Sequence, residues 1–115
     1  MLNKVQLIGH VGQDPEVRAT PQGTKVADLR LATTRYWRDD EGNRQEETEW
    51  HRVVFWGKTA ENVASVLAKG RLVYVEGRIQ TRSWEDESGK HFRTEVIAET
   101  WQALTRAPGS SEAGA

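Results

Sequence analysis

The chain has 115 residues, enough for one domain with a core of its own, and it has no cysteine, which excludes a disulfide framework and a thiolate metal site. Its 16 basic and 17 acidic residues give a net charge of −1, so any nucleic-acid site must be sought in the placement of the charges. No apolar stretch could cross a bilayer and the amino terminus does not resemble a signal peptide, so we expect a cytoplasmic protein without a membrane partner.

The first half of the chain alternates apolar and polar residues, as β-strands do. A first strand is predicted at Val5–Val11, where Gly9 indicates a bulge or a close approach of another backbone. Turn residues from Gly12 to Gly23 predict a loop. A long strand follows at Val26–Trp37, with a far end that projects as a ribbon, and residues 38–44 form a charged hairpin tip.

The segment Glu49–Trp56 is β-branched and aromatic, which predicts the central strand of the fold. Alternation places His51 on an interior face and puts Trp50 and Trp56 on the other face together with Arg52. Indoles beside a guanidinium are typical of a surface on which unpaired bases stack. Taken alone, this strand is also compatible with burial of both indoles in a core.

The second half begins with a helical period. Apolar residues recur at helical spacing at Ala60, Val63, Ala64 and Leu67. We expect Thr59 to cap the helix and Gly70 to take the left-handed conformation after its last turn. Alternation returns at Arg71–Ser83, with Ile79 facing inward, residues 85–90 form a second hairpin tip, and Phe92–Trp101 is the last strand.

Three strands, a helix and two strands is the order of the OB-fold, a five-stranded Greek-key barrel. A β-sandwich would have more strands and no helix at this position. We therefore predict an all-β fold, a β-barrel with one helix and long protruding hairpins, over residues 1–106. Residues 107–115 consist mainly of Pro, Gly, Ser and Ala and are predicted to be a disordered tail or linker stub.

Aromatic and basic residues suggest a function for this barrel. Four tryptophans are predicted on one barrel face or on ribbons that fold over it: Trp37, Trp50, Trp56 and Trp84. Five cations can reach phosphates between them: Arg52, Lys58, Lys69, Arg78 and Arg82. Such a surface accepts any sequence of single-stranded nucleic acid, because every base has a π-face and each stacking contact is worth about 1–3 kcal/mol. Trp101 lacks neighbouring cations and is predicted to be structural.

Catalytic patterns fit poorly. The histidines have no metal-ligand spacing, and no nucleophile elbow or phosphate loop occurs, so we predict no enzyme, no metal and no cofactor. An RNA-binding OB-fold stays open, since stacking does not detect the 2′-hydroxyl. A carbohydrate-binding module would not need arginines beside its indoles. A small hydrolase using carboxylates around Glu47 would lack a nucleophile.

Several runs of this sequence resemble the bacterial single-stranded DNA-binding proteins of the SSB type. They are Gly12–Arg18, Leu31–Thr33, Thr48–Val54, Val73–Gly77 and Thr81–Trp84. The resemblance extends from Asn3 to Leu104. It implies an OB-fold that assembles as a homotetramer, or in some lineages as a dimer of two-barrel chains, and that wraps single-stranded DNA in replication, recombination and repair as a nucleoid-associated protein.

The resemblance also implies roles for individual residues. The four tryptophans match the family's stacking aromatics, with Trp56 where phenylalanine is common. Gly12 and His51 match positions of subunit contacts, and Lys58 and Lys69 match basic positions near the DNA path.

Two departures from the family are visible. Val66 stands where some members have a tyrosine, which puts one aromatic contact in doubt. The family's tail ends in acidic residues and a hydrophobic dipeptide that dock replication and repair proteins. This sequence stops at Ala115 without them, so we do not expect it to recruit such partners.

Overall fold

Five of the six strands in the computed structural model, which describes residues 1–105, close into a barrel. The elements in chain order are β1 (Val5–Val11), β2 (Glu16–Ala19), β3 (Lys25–Arg38), β4 (Arg44–Trp56), α1 (Lys58–Val66), β5 (Leu72–Asp86) and β6 (Gly89–Ala103). The predicted tail at 107–115 lies outside the described residues.

The barrel closes in the order β1–β5–β6–β4–β3, and β3 pairs back to β1. Neighbouring strands are antiparallel except β4 and β6, which are parallel where Val53 and Val54 pair with Val96 and Ile97. The hairpins β3–β4 and β5–β6 extend beyond this ring as two-stranded ribbons. The predicted five-stranded barrel with one helix and long hairpins is confirmed.

Alternation along the strands divides inside from outside. The buried interior is formed mainly by Val11, Leu29, Leu31, Val53, Phe55, Val73 and Val75. Ala60 and Val63 of α1 join this core, whereas Ala64 is exposed. Gly9 lies against the backbone of Ala32, so the predicted close approach is confirmed.

The region predicted as one loop from Gly12 to Gly23 contains the short strand β2. Its four residues pair with residues 25–28 of β3 and all four are exposed. A strand with no buried side chain shows no apolar alternation, and the surrounding turn residues outweigh it in the sequence. The loop prediction was therefore wrong for these four residues.

The ends of α1 also differ from the prediction. Gly57, with φ 63°, is the N-cap residue, and no side chain makes a capping hydrogen bond, so Thr59 lies within the helix instead of capping it. Leu67 is already extended. Gly70 has the expected left-handed conformation, with φ 95°, but in the turn that follows.

Ile79 was predicted to face the interior and is exposed. Strand β1 pairs with β5 only as far as Gly77, so β5 leaves the barrel before Ile79. The partner of Ile79 on β6, Val96, still packs in the core, whereas Ile79 lies past the end of the β1 pairing and no strand of the described chain covers it on that side.

Gly77 marks the point where the β5–β6 hairpin leaves the barrel. The register between β5 and β6 shifts at Glu76 and Gly77, and a Cβ atom on Gly77 would overlap the backbone carbonyl of Ile97. We expect Gly77→Ala to lower the free energy of unfolding by about 1–3 kcal/mol, because the strands must separate to admit a methyl group.

Chemical denaturation measures this loss. Ser83→Ala, on the exposed part of the same strand, is the control and should stay within about 0.5 kcal/mol of the parent chain. Equal midpoints for both variants would contradict the expected close contact.

Candidate nucleic-acid interface

The paired strands β3 and β4 direct two indoles to the outside of the barrel. Their register is continuous, and it pairs Val26 with Trp56 and Ala32 with Trp50. Trp50 is 52% exposed and Trp56 is 48% exposed. The predicted outward orientation of both indoles is confirmed, and burial of both in a core is excluded.

A small apolar cluster supports this surface from below. Val26 and Val54 pack with Ile97 of β6 on the outside of the barrel, and all three are buried. Ile97 pairs with Arg78 of β5, so the surface continues from β3 and β4 across β6 to β5. We call this surface, which carries Trp50, Trp56, Arg52, Arg78 and Trp84, the outer face.

Trp84 stands at the far end of the outer face, on the β5–β6 hairpin. The indole is 43% exposed and stacks on His91 of the facing strand, with ring centroids 5.4 Å apart and planes 24° apart. The guanidinium of Arg93 lies 5.6 Å from the indole centroid. Both contacts pack against the ring and leave part of its surface open to solvent.

His91 is held in turn by the hairpin tip. Its Nε2 lies 2.9 Å from Asp86 Oδ1 and 2.8 Å from Ser88 Oγ. Hydrogen bonds from Ser88 and His91 hold the pKa of Asp86 below its usual value of 3.8. Because serine and aspartate meet the same ring nitrogen, this group lacks the relay geometry of a catalytic triad.

Trp37 does not lie on the outer face. It pairs with Gln45, and alternation turns it to the opposite side of the β3–β4 ribbon from Trp50. Arg35 covers its indole at 4.2 Å and makes an ion pair of 3.1 Å with Glu47. The ribbon therefore carries Trp37 beyond the barrel, which is the second of the two predicted placements. Trp101 packs against the barrel core, as predicted.

Two of the five predicted cations are already paired with carboxylates. Arg52 contacts Asp28 at 3.2 Å and Glu95 at 2.8 Å, and Arg82 contacts Glu95 at 2.9 Å. Arg18 reaches the same Asp28 oxygen at 3.3 Å. Glu95 is only 2% exposed, so its carboxylate lies beneath two guanidinium groups of the outer face. These arginines shape the surface while much of their charge is neutralised.

The other three predicted cations are more open. Arg78 makes a long contact of 3.7 Å with Glu99, and both side chains are largely exposed. Lys58 and Lys69 are exposed and form no ion pair within residues 1–105. Asp14 accepts a hydrogen bond from the Lys69 backbone, which fixes the turn that carries the Lys69 side chain.

Arg30 is a cation of this surface that the sequence-based set did not include. It is exposed, it pairs with Arg52 across the strands, and its guanidinium lies 6.0 Å from the Trp50 indole. The sequence signal was the alternation of this strand, which places Leu29 and Leu31 inward and therefore Arg30 outward.

The two predicted subunit-contact positions have different surroundings. Gly12 lies directly against the Trp50 indole, where a Cβ atom would overlap the ring. His51 is half-buried, and its Nε2 lies 2.8 Å from Thr33 Oγ1. Gly12 thus has a second role within the chain, because it leaves the space in which Trp50 packs.

Residues 1–105 contain neither a metal-ligand cluster nor a membrane-spanning helix. No group of three or more histidine, aspartate or glutamate side chains is close enough to hold a metal ion in this range. The helix in this range is too short and too polar to cross a membrane.

Comparisons with known proteins agree with the geometry. The family model described as the single-strand binding protein family matches residues 2–104. The chain is 51% identical over 105 residues to single-stranded DNA-binding protein 1 of Chlorobaculum tepidum, covering 90% of this chain and 65% of that protein. It is 45% identical over 115 residues to single-stranded DNA-binding protein 1 of Xylella fastidiosa, covering 98% and 85%.

Solved structures are similar as well. The Plasmodium falciparum SSB in complex with ssDNA has a TM-score of 0.84 at 35% identity, covering 91% of this chain and 96% of that chain. A deletion mutant of the single-stranded DNA binding protein from Thermus aquaticus has a TM-score of 0.81 at 38% identity, covering 90% and 51%. The chain therefore spans less than two thirds of the Chlorobaculum protein and about half of the Thermus chain.

The buried carboxylate beneath the outer face gives a test of this geometry. We expect Glu95→Gln to lower the free energy of unfolding by about 1–3 kcal/mol, because an amide cannot satisfy two guanidinium groups as a carboxylate does. Thermal or chemical unfolding measures the change.

Glu99→Gln is the matched control, since Glu99 is exposed and its contact with Arg78 is long. Its effect should stay below about 1 kcal/mol. If the two variants are equally stable, the carboxylate of Glu95 is not holding Arg52 and Arg82 together.

Proposed function

The chain belongs to the single-strand binding protein family, and from this membership we propose that it binds single-stranded DNA without regard to sequence and protects it in replication, recombination and repair. The observation that carries the proposal is the outer face, on which Trp50, Trp56 and Trp84 are each more than two-fifths exposed. Indoles so exposed, with cations beside them, suit unpaired bases.

We propose that stacking supplies most of the affinity. Each base–aromatic contact is worth about 1–3 kcal/mol, so Trp50, Trp56 and Trp84, together with Trp37 on the ribbon, suffice without any contact to a base edge. Duplex DNA offers no such contact, because its bases are already stacked on one another. Binding of this kind is independent of sequence.

Phosphate contacts make the affinity depend on salt. On a single strand, the logarithm of the binding constant falls against the logarithm of the salt concentration with a slope of about −0.7 per neutralised phosphate. Lys58, Lys69 and Arg78 are the predicted cations best able to supply it, and we add Arg30 to them. Arg52 and Arg82 contribute less in this proposal, because Glu95 and Asp28 already neutralise much of their charge.

We propose that the chain acts as a binding protein without catalytic turnover, in the cytoplasm and as a homotetramer. The outer side of the β1–β5 pair supports self-association, since Ile8 is largely exposed in the middle of β1. Beside it, Lys4 contacts Glu76 at 2.9 Å, and Glu76 also accepts a hydrogen bond from Tyr74. His51 and Gly12 keep their proposed role near subunit contacts.

Binding is tested by titrating the protein with oligo-dT at two salt concentrations while tryptophan fluorescence is followed. We expect oligo-dT to quench the fluorescence, and we expect binding to weaken as the salt concentration rises. Duplex DNA should give no comparable response. The Trp50→Ala variant should lose about 1–3 kcal/mol of binding free energy per engaged site. Trp101→Phe is the control and should bind as the parent chain does, because Trp101 packs against the core.

A flat signal with oligo-dT, combined with binding of duplex or polysaccharide, would refute the proposal. The matching RNA oligonucleotide is a further arm. Tighter binding to RNA than to oligo-dT would assign the surface to the RNA-binding alternative.

Assembly is tested separately by light scattering at micromolar concentration. We expect a mass of four times the 13.0 kDa of one chain. Ile8→Glu should reduce this mass, since a charge would be placed on the proposed contact surface. A monomer mass for the parent chain would refute the homotetramer, whereas the DNA-binding proposal would still stand.

A further inference from the structure

The β3–β4 hairpin carries an exposed aromatic residue that the sequence analysis did not assign to binding. Tyr36 is 55% exposed, more than any of the four predicted stacking indoles. Arg44 lies over its ring, with the guanidinium carbon 4.5 Å from the ring centroid. The pair combines a flat π-surface with a cation beyond the barrel.

The register of the hairpin decides which side Tyr36 occupies. All residue pairs from Val26–Trp56 to Arg38–Arg44 follow in sequence without a shift. Tyr36 is therefore on the same side of the ribbon as Trp50 and Trp56, and Trp37 is on the other side.

Trp56, Trp50 and Tyr36 form one row along the hairpin. On β3, Val26 is paired with Trp56 and Ala32 is paired with Trp50, and Tyr36 belongs to β3 itself. At about 3.3 Å per residue, the three rings stand about 20 Å and then about 13 Å apart along the strand. Tyr36 thus continues the row of the outer face past the end of the barrel.

Arg44 places a cation directly at the Tyr36 ring. Arg44 makes no ion pair within residues 1–105, unlike Arg35 on the other side of the ribbon. Arg38 lies opposite Arg44, and its guanidinium donates a hydrogen bond of 2.8 Å to the Gly42 carbonyl. Glu46 lies directly across from Tyr36, and residues 39–41 of the hairpin tip are all acidic, so Arg44 is a local cation at the ring and not part of a cationic hairpin.

We propose that Tyr36, with Arg44 over its ring, is a base-stacking platform that extends the single-stranded DNA path along the β3–β4 hairpin, on the side opposite Trp37. The hairpin then offers bases an aromatic–arginine pair on each side. This inference rests on the proposed function. It adds a site that neither the predicted set nor the barrel itself contains.

The test uses three variants of Tyr36 that separate the effect of the aromatic face from the effect of apolar side-chain volume. Tyr36→Phe keeps the π-face, Tyr36→Leu keeps apolar bulk without it, and Tyr36→Ala removes both. With long oligo-dT we expect Tyr36→Phe to bind as the parent chain does. The other two should bind about 5- to 150-fold more weakly, the range that one stacking contact represents. Thermal unfolding confirms that all variants are folded.

Two further measurements locate the contact. Oligo-dT carrying 5-iodouracil should cross-link to Tyr36 on irradiation, as mapped by mass spectrometry. Arg44→Gln should reduce the salt slope by about 0.7, the share of one phosphate.

If Tyr36→Leu and Tyr36→Ala bind oligo-dT as the parent chain does, and no cross-link forms at residue 36, this platform is refuted. The proposed function still stands in that case, because the parent chain binds oligo-dT. If the parent chain fails to bind oligo-dT at all, the proposed function and this platform are both refuted.

Discussion

The continuous antiparallel register between β3 and β4 determines which side chains this protein exposes. In a strand, successive side chains alternate between faces, so a slip of one residue would move every side chain of the slipped strand to the other face. With the register as it is, Val53 and Phe55 fill the barrel while Trp50 and Trp56 face solvent. The parallel contact of β4 with β6 then joins this pair to the β5–β6 hairpin, so two hairpins share one outer face.

Electrostatics divide the basic residues of that face into two groups. Arg52 and Arg82 meet over the buried carboxylate of Glu95, and their main effect is to keep β4, β5 and β6 in a fixed arrangement. Arg30 and Arg78 stand more freely in solvent. A chain with a net charge of −1 can in this way present a local cationic surface, although its total charge gives no indication of one.

The periodicity of apolar residues predicted most of this structure. It failed where an element is determined by residues far away in the sequence or by the backbone alone. Alternation identified the barrel strands and the outward indoles, because one buried face imposes a period of two. It missed β2, which has no buried face. Thr59 was the expected cap, but the backbone conformation of Gly57 begins the helix instead.

The ion pairs were beyond the reach of pattern analysis for a different reason. Arg52 and Glu95 are 43 residues apart, and neither segment contains a sequence feature that indicates contact with the other. Tyr36 and Trp37 are neighbours on one strand and therefore face opposite sides, but only the register of β3 with β4 shows which of them shares a side with Trp50.

Because Gly12 has no side chain, the Trp50 indole packs directly against its backbone. A ring that packs against the backbone has fewer orientations open to it before a ligand binds than a fully exposed ring has. Capturing a flat partner then requires little additional ordering of the protein, and more of the contact energy remains as net affinity. In this respect the smallest residue of the chain preorganises one of its largest.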